Sequence, residues 1–313
     1  MYPQNPEILQ GIYRKDFFAN FTSGQEARFY SKLSKDVPQT EDTVTYTSFG
    51  AVPEPSQLSG AGGDMGVPKA KVLKDYKVTV TTNEHKVTLK IPRRVAESNV
   101  MDSSNWLARL GGKASFYHDR KFIATISSAS LTGYDGVVLY STAHAESGTS
   151  QDNALTAGLG ALDNGADWET ALEASIGAIL GFTDDQGTYV NEGITRFTVL
   201  CNHAEYFAGN NVTNPTFSQQ AIDSSGGTGA FRGMIDLIPS ALVAAQTIYV
   251  FANAAEPAVG FFHATEPKGW DLKSNMYTDS DAWVDGNMAR FTGYSVFEFK
   301  PWQWKSTCRY VST

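Results

Sequence analysis

The chain has few of the features that mark secreted, membrane-spanning or disulfide-stabilised proteins. Its 313 residues contain two cysteines, Cys201 and Cys308, which lie far apart and form no disulfide framework. No apolar run approaches the roughly 18 residues of a membrane span, and Met1 is not followed by a charged and then apolar leader. We therefore expect buried free thiols in a reducing cytoplasm, and neither secretion nor a membrane span.

Positive charge is also scarce. The formal net charge is −8, and Arg93–Arg94 is the only adjacent pair of arginines. Tight phosphate binding needs lysine and arginine to release counterions, so the sequence disfavours a protein that binds nucleic acid tightly.

A structural zinc site needs three or four converging ligands, and we expect no metal and no cofactor. The five histidines occur singly along the sequence, at His85, His118, His144, His203 and His263.

What the chain does have is enough apolar material for a core, at 42% hydrophobic and 12% aromatic residues. It is organised around the stretch Val87–Leu131. Val87, Leu89 and Ile91 alternate with polar residues, which predicts a strand with one wet face, and Pro92 ends it because proline has no N–H for a ladder.

A long helix follows this strand. The spacing of apolar residues predicts it from Ser104 to Ser130, roughly 40 Å at about 1.5 Å per residue, with an N-cap among 102–105. Gly111 and Gly112 are its weak point, and we expect them either to kink the helix or to let another backbone come close. The residues predicted to form its buried stripe are Trp106, Leu110, Ala114 and Tyr117, continued by Phe116, Ile123 and Ile126.

The N-terminal part of the chain, before about Thr40, is polar and weakly patterned. It predicts one or two short amphipathic helices. Six large side chains there need burial, either against the chain's own core or against a neighbouring molecule, and the sequence leaves both open. These residues are Phe17, Phe18, Phe21, Phe29, Tyr30 and Leu33.

The next segment is the most irregular. A strand around Val44–Ser48 leads into the eighteen residues Ala51–Pro68, which contain four glycines and three prolines. A structureless loop of this length is uncommon in a compact domain and is usually functional or mobile. The chain returns through the strand Tyr76–Thr81, and we expect Val87–Ile91 to pair back on it across a turn at Thr82–His85. Because no Gly-Lys-Ser/Thr follows the glycines, a phosphate-binding loop is disfavoured.

The second half mixes helices and strands, so the fold class is α+β. The predicted helices are Asp167–Phe182, capped by Asp167, and a short one near His203–Phe207, followed by a surface loop at Asn210–Gly229. The predicted strands are Arg196–Cys201, Met234–Ile238, Thr247–Ala252, Ala258–His263 and Ala289–Lys300.

Two constellations have the residue types of a catalytic site. Asp135, Ser141 and His144 are the types of an orienting acid, a nucleophile and a base. Their order matches no known hydrolase signature, and Ser141 is not in a Gly-x-Ser-x-Gly elbow, so we favour a turn at Tyr134–Gly136 and a histidine that binds a loop. Cys201 and His203 form a weaker candidate, because the pair lacks a third partner.

Three features of the chain resemble the major head subunits of Mu-like tailed phages. The first is the strand at 87–94 leading into the long helix. The second, Tyr134-Asp-Gly-Val-Val-Leu-Tyr-Ser-Thr-Ala-His144 followed by Asn153, is similar to the family pattern Asp-Gly-x-x-Leu-Phe-Ser-x-x-His. The third is the order of elements over nearly the whole chain. The chain departs from the family at 97–99, where paired acidic residues are expected, and in its glycine-rich loop Ser56–Gly66.

This resemblance implies the Hong Kong 97-type phage capsid fold. Residues 1–42 would be an N-terminal arm, and 43–82 an extended hairpin, the E-loop. Residues 83–182 and 286–313 would form a peripheral domain with the spine helix 104–130, and 183–285 an axial domain. The sequence fits an extended E-loop, since two legs of about fifteen residues at ~3.3 Å each reach about 50 Å.

The resemblance further implies a structural subunit that is not an enzyme. Identical subunits would assemble into hexamers and pentamers of an icosahedral shell around double-stranded DNA, without sequence-specific binding or a membrane partner. Scaffold, portal and decoration proteins are further candidate partners, and the location would be the virion, after assembly in the host bacterial cytoplasm. The alternatives are an encapsulin-like nanocompartment of the same fold and a hydrolase that uses Asp135, Ser141 and His144.

Overall fold

The computed structural model describes residues 6–26, 28–49, 75–146, 148–158, 161–185, 187–214, 231–253, 260–266, 269–276 and 286–313. Its helices are α1 (Pro6–Glu26), α2 (Tyr30–Leu33), α3 (Arg93–Ser98), α4 (Val100–Ile126), α5 (Gly165–Gly181) and α6 (Tyr206–Thr213). Its strands are β1 (Lys35–Pro38), β2 (Thr43–Phe49), β3 (Asp75–Thr81), β4 (Asn83–Pro92), β5 (His144–Glu146), β6 (Thr149–Gln151), β7 (Ala154–Ala157), β8 (Phe197–Cys201), β9 (Ile235–Pro239), β10 (Thr247–Ala252), β11 (Phe261–Thr265), β12 (Asp271–Ser274), β13 (Met288–Pro301) and β14 (Thr307–Ser312).

The chain forms two compact units. Unit 1 consists of Met1–Val44, Val80–Ser128 and Phe261–Lys300, and unit 2 of Thr45–Thr79, Ala129–Gly260 and Pro301–Thr313. Each unit has its own sheet, and both sheets join strands that are distant in sequence. In the part of the chain that the structure describes, no helix is long and apolar enough to cross a membrane.

The sheet of unit 1 is built on the long strand β13. β4 lies antiparallel along one edge of β13, from Asn83 opposite Phe297 to Pro92 opposite Met288. β12 and β11 lie along the other edge, and β1 continues the sheet in parallel with β11. The prediction that Val87–Ile91 pairs back on Tyr76–Thr81 is therefore wrong: β3 pairs with β2, and β4 takes its partner from some 200 residues later.

Helix α1 packs along α4. The predicted one or two short helices are in fact one helix of 21 residues followed by a single turn at α2. Of the large side chains that needed burial, Phe17, Phe21, Tyr30 and Leu33 lie in the core of their own chain, so packing on the chain's own core is confirmed for these four.

Gly111 explains how the two helices come so close. A Cβ atom at this position would lie 2.2 Å from the carbonyl oxygen of Phe17, whereas a Cβ at Gly112 would have no atom within 4 Å. The expectation that the glycine pair admits another backbone is thus confirmed, and Gly111 is the residue responsible.

Helix α4 has the predicted length but begins and ends one turn earlier. It runs from Val100 to Ile126, 27 residues, and not from Ser104 to Ser130. Asn99 caps it, its side chain accepting a hydrogen bond from the Asp102 N–H at 3.3 Å. The predicted caps 102–105 lie inside the first turns of the helix. There the negative charge of Asp102 interacts favourably with the positive end of the helix dipole.

The buried face of α4 also differs from the predicted stripe. Leu110, Ala114, Ile123 and Ile126 are buried as expected, but Trp106 and Tyr117 are 42% and 37% exposed. The buried positions also include Gly111, Ser115, His118 and Asp119. Small and polar residues thus occupy much of the core face. Partners in unit 1 bind Ser115, Asp119 and the Nε2 of His118, whereas a hydropathy pattern places such residues outside.

Unit 2 is built on the five-stranded sheet β7-β14-β10-β8-β9. β8 and β10 are buried along their whole length, as continuous apolar runs predict. Helix α5 begins at Gly165, because Asn164 caps it by accepting from the Asp167 N–H at 3.0 Å; Asp167 is thus not the cap but a first-turn residue. The short helix α6 begins at Tyr206 and packs Gly209 against the Trp168 ring.

Candidate functional site

The residues proposed as a catalytic constellation lie in one loop of unit 2, between Leu131 and Asn153. The Leu139 N–H donates to the Leu131 carbonyl at 2.7 Å, and the Gly133 N–H donates to the Val137 carbonyl at 2.9 Å. Gly136 has a φ of 75°, which a glycine adopts without strain. The predicted tight turn after Tyr134 is therefore present.

His144 uses both ring nitrogens inside this loop. Its Nδ1 lies 2.6 Å from Asp135 Oδ2, and its Nε2 lies 3.1 Å from the Leu139 carbonyl oxygen. The ring is buried and stacks on Trp304, with centroids 4.1 Å apart and planes at 7°. The structure thus brings Asp135 and His144 together.

Ser141 does not complete a catalytic relay. Its Oγ accepts a hydrogen bond from the Ala143 N–H at 3.2 Å, a local turn contact. The position that a nucleophile would take on His144 Nε2 is occupied by the Leu139 carbonyl. This geometry holds a loop and does not activate a hydroxyl.

Asn153 is the hub that ties this loop to the rest of unit 2. Its side-chain amide donates to the Leu139 carbonyl at 2.8 Å, and its Oδ1 accepts from the Ser141 N–H at 2.9 Å. Its backbone N–H donates to the Ser141 carbonyl, and its carbonyl accepts from the Arg309 N–H of β14. Asp135, Ser141, His144 and Asn153 therefore each have a structural partner within unit 2.

A second buried cluster was not anticipated from the sequence. Glu146 accepts hydrogen bonds from the Tyr134 hydroxyl and from the Lys305 ammonium group. The side chains of Glu146 and Lys305 are only 7% and 5% exposed. Removing one member of a buried ion pair leaves an uncompensated charge, so loss of either residue would destabilise this part of unit 2. Alternation in β5 places Glu146 on the same face as His144, but no sequence pattern identifies Lys305 as its partner.

Tyr76 of β3 joins this cluster. Its ring lies 4.6 Å from that of Tyr134. Burial first, and then the negative charges of Glu146 and Asp185, raise the pKa of Tyr76 to about 12. Burial likewise raises the pKa of Tyr134, so both phenols stay protonated and act as hydrogen-bond donors. One leg of the predicted E-loop is thereby anchored on unit 2.

The cysteine candidate does not form a thiol site. Cys201 is buried at the end of β8, where its thiol donates to the Ile238 carbonyl at 3.9 Å, while His203 is exposed. Burial raises the pKa of Cys201 to about 12, which leaves almost no thiolate at neutral pH. Cys308 is also free and buried, and burial raises its pKa to about 12 as well.

Three of the histidines that are isolated in sequence come together in unit 1, where His118 and His263 are buried and His85 is half-buried. The rings of His118 and His263 lie 5.2 Å apart, and each, like His85, packs against Phe297. His118 Nε2 accepts a hydrogen bond from Trp270 Nε1 at 2.8 Å, and His263 Nδ1 lies 2.6 Å from Asp36. Among the residues described, no group of histidine, cysteine or carboxylate side chains is arranged to hold a metal ion.

The strands β2 and β3 form a separate two-stranded ribbon. Thr43 and Thr81 face each other with hydroxyls 3.1 Å apart, and Thr45 and Thr79 with hydroxyls 3.0 Å apart. These four threonines are exposed. The glycine-rich loop Ser56–Gly66, singled out from the sequence, lies outside the described residues.

Comparison with known proteins gives matches at the level of structure. No protein-family model matches the chain, and no curated protein matches it. The capsid of cyanophage P-SCSP1u matches with a TM-score of 0.60 at 11% identity, over 92% of this chain and 88% of that one. The capsid of Ralstonia phage GP4 matches with a TM-score of 0.59 at 13% identity, over 90% of this chain and 87% of that one.

A virus-like particle from Pyrococcus furiosus also matches, with a TM-score of 0.54 at 9% identity over 95% of this chain and 97% of that one. At these identities the likeness concerns the fold alone. The chain therefore has the fold of phage capsid proteins, and the predicted capsid fold is confirmed.

Proposed function

We propose that this chain is a major capsid protein, a structural subunit that self-assembles into a closed icosahedral shell of hexamers and pentamers. The observation that carries this proposal is the match to phage capsid subunits over 92% of the chain. A fold can host many functions, so the chain's own surfaces must also suit assembly.

The ribbon of β2 and β3 is such a surface. Each strand is seven residues long, and in the described part of the chain the ribbon has no third strand. An isolated two-stranded ribbon is marginally stable in water, and its open edges can pair with another chain. A shell in which the exposed edges of the ribbon also contact a neighbouring subunit satisfies both needs, and many overlapping weak contacts add up to a stable lattice.

The domain roles are part of the proposal. Residues 1–42 act as the N-terminal arm and 43–82 as the E-loop, 83–182 with 286–313 form the peripheral domain, and 183–285 form the axial domain. The length of α4, 27 residues, supports its role as the spine of the peripheral domain.

The shell encloses double-stranded DNA without gripping it. The net charge of −8 supports this, since an acidic wall does not hold phosphates. The subunit needs no catalytic residue, because Asp135, His144 and Asn153 hold the loop in place. The location of the protein is the virion. Scaffold, portal and decoration proteins are candidate partners during assembly in the host cytoplasm.

Gel filtration and negative-stain microscopy of the purified protein test the proposal. We expect particles or capsomers far larger than the 34.0 kDa chain. A monomer with hydrolytic turnover would contradict it. Particles that enclose another protein in place of DNA would favour the nanocompartment alternative.

A further inference from the structure

Unit 1 contains a groove of about 510 Å³ to which the proposed function assigns no role. It is lined by residues of α4 and β4 and by Trp270. Its apolar surface comes from Val87, Phe116, Tyr117 and Trp270. β4 pairs with β13 and with no other described strand, so the groove lies beside a sheet edge that is open in this part of the chain.

The groove carries unpaired positive charge. Lys113 and Arg120 line it, both are exposed, and neither has a carboxylate within ion-pair distance among the residues that the structure describes. The charges of Lys86 and Glu84, which also line it, offset each other across 2.7 Å. The site therefore suits a segment that is both acidic and apolar.

Arg120 is already engaged with an aromatic ring. The Arg120 guanidinium lies 5.1 Å from the centre of the Phe116 ring, which leaves its N–H groups available to a carboxylate. Tyr117 is 37% exposed although it is a large aromatic residue on the spine helix. An acidic ligand with an aromatic or aliphatic side chain would cover this ring and pair with both cations.

One segment of the chain has that chemistry. Residues 277–285 contain Asp279, Asp281 and Asp285 and no lysine or arginine, together with Trp283 and Val284. The other long segments outside the described residues are poorer matches: 50–74 has two acidic and three basic residues, and 215–230 has a single acidic residue. Charge complementarity thus selects 277–285.

We propose that the groove between α4 and β4 receives residues 277–285 of a second copy of this chain. The inference rests on the proposed function, because it names one contact between subunits of the shell. It assigns Lys113 and Arg120 to pairing with the aspartates, and Phe116 and Tyr117 to packing with the apolar side chains.

Chain reach favours a second copy over the same copy. The segment leaves from β12, which flanks β13 on the edge opposite to β4, at the level where the Asn275 N–H donates to the Arg290 carbonyl. The β4 residues that line the groove lie opposite 293–296 of β13, about 10–20 Å along the sheet from Arg290 at ~3.3 Å per residue. Within one copy only the tip of the segment could arrive, with both limbs fully extended.

A peptide experiment tests the groove without requiring shells. A fluorescently labelled synthetic peptide of residues 275–287 is titrated into the unassembled full-length protein and followed by anisotropy. We expect saturable binding that weakens with salt, and a loss of about tenfold in the double variant Lys113→Glu/Arg120→Glu. The control Lys15→Glu/Lys35→Glu changes the charge equally at exposed positions outside the groove and should bind like wild type. No binding by the wild-type protein would overturn the inference.

A charge-swap experiment separates a second copy from the same copy. We expect that Lys113→Glu/Arg120→Glu alone, and Asp279→Lys/Asp281→Lys alone, each form fewer shells by light scattering, and that mixing the two restores assembly. In this mixture, the groove and the segment within each subunit carry charge of the same sign, whereas the groove of one variant and the segment of the other carry opposite charge. Rescue only when all four changes are in one chain would mean same-copy docking and would overturn the proposal, as would normal shells from either double variant. If the wild-type protein forms no shells, the proposed function fails, and the peptide experiment still decides the groove.

Discussion

His118 shows how much a single buried polar residue can determine. It lies in the core of unit 1 with Nε2 bonded to Trp270, so its proton sits on Nδ1, which is buried without a partner among the described atoms. Burial first, and then the positive charge that His263 and His85 would carry, lower the pKa of His118 to about 2.

This shift makes stability depend on pH. The unfolded chain protonates His118 near pH 6.5 while the folded chain does not, so stability falls as the pH drops below about 6.5, by at most about 1.4 kcal/mol per pH unit. Asp119, whose pKa burial raises to about 6, acts in the opposite direction below that pH. We expect His118→Gln to flatten the acid limb in urea unfolding between pH 7 and 5. Parallel pH profiles for the two proteins would contradict the assignment.

Gly111 and Gly112 provide a matched pair of substitutions. Gly111→Ala should cost about 1–3 kcal/mol or more, because its Cβ would lie 2.2 Å from the Phe17 carbonyl oxygen. Gly112→Ala meets no atom within 4 Å and should stabilise the helix by up to about 1 kcal/mol. Thermal unfolding measures both. Equal effects of the two substitutions would mean that α1 does not pack on Gly111.

The motif Asp135–His144 with Asn153 gives a third prediction. Ser141→Ala removes one exposed turn contact and should leave stability within about 0.5 kcal/mol and assembly intact. Asn153→Ala removes a buried hub and should cost about 2 kcal/mol or more, because it leaves the Ser141 N–H without its partner and takes one of two hydrogen bonds from the Leu139 carbonyl. Urea unfolding separates the two. A hydrolytic activity that is lost in Ser141→Ala would instead support the alternative that the protein is a hydrolase.

At the scale of elements, the sequence predicted those features that depend only on nearby residues. The length of α4, the end of β4 at Pro92 and the strand β10 follow from periodicity, proline chemistry and a buried apolar run. What failed depended on distant partners. Helix α4 begins one turn earlier than predicted because Asn99 caps it there. Its buried face differs from the predicted stripe because Gly111 packs against the Phe17 backbone and His118 accepts a hydrogen bond from Trp270.

Long-range pairing could not be deduced from the sequence either. β4 has the pattern of a hairpin partner for β3, yet it pairs with β13, and nothing local distinguishes the two choices. The same holds for Lys305 and Glu146, which lie 159 residues apart. The loop motif was recognised from the sequence as a turn with a bound histidine, but the role of Asn153 as a hub required the structure.

The ribbon of β2 and β3 carries the prediction at this scale. Replacing Gln57–Met65 by Asn-Gly shortens the connection while leaving Tyr76 and both strands in place. Thermal stability should stay within about 1 kcal/mol, because no described core residue is altered. Closed shells should fail or become fragile, since the segment can no longer lie on a neighbour. Equally robust shells in light scattering and proteolysis would show that the segment is not an intersubunit arm.

At the scale of the whole molecule, the account makes this chain one tile of a closed shell. Two compact units with separate sheets, a stiff helix of 27 residues and a ribbon anchored by Tyr76 are the parts of a subunit that must meet neighbours on several sides. In the proposed shell, closed symmetry would limit the assembly to a finite particle, and the acidic charge would leave enclosed DNA free.

Electron cryo-microscopy of the purified particles tests this claim most directly. The account predicts closed shells with icosahedral symmetry, in which the β2–β3 ribbon of each subunit, held by its own subunit at Tyr76, also contacts the subunit beside it and DNA fills the interior. A dispersed 34.0 kDa monomer, or an assembly in which that ribbon contacts only its own subunit, would contradict it.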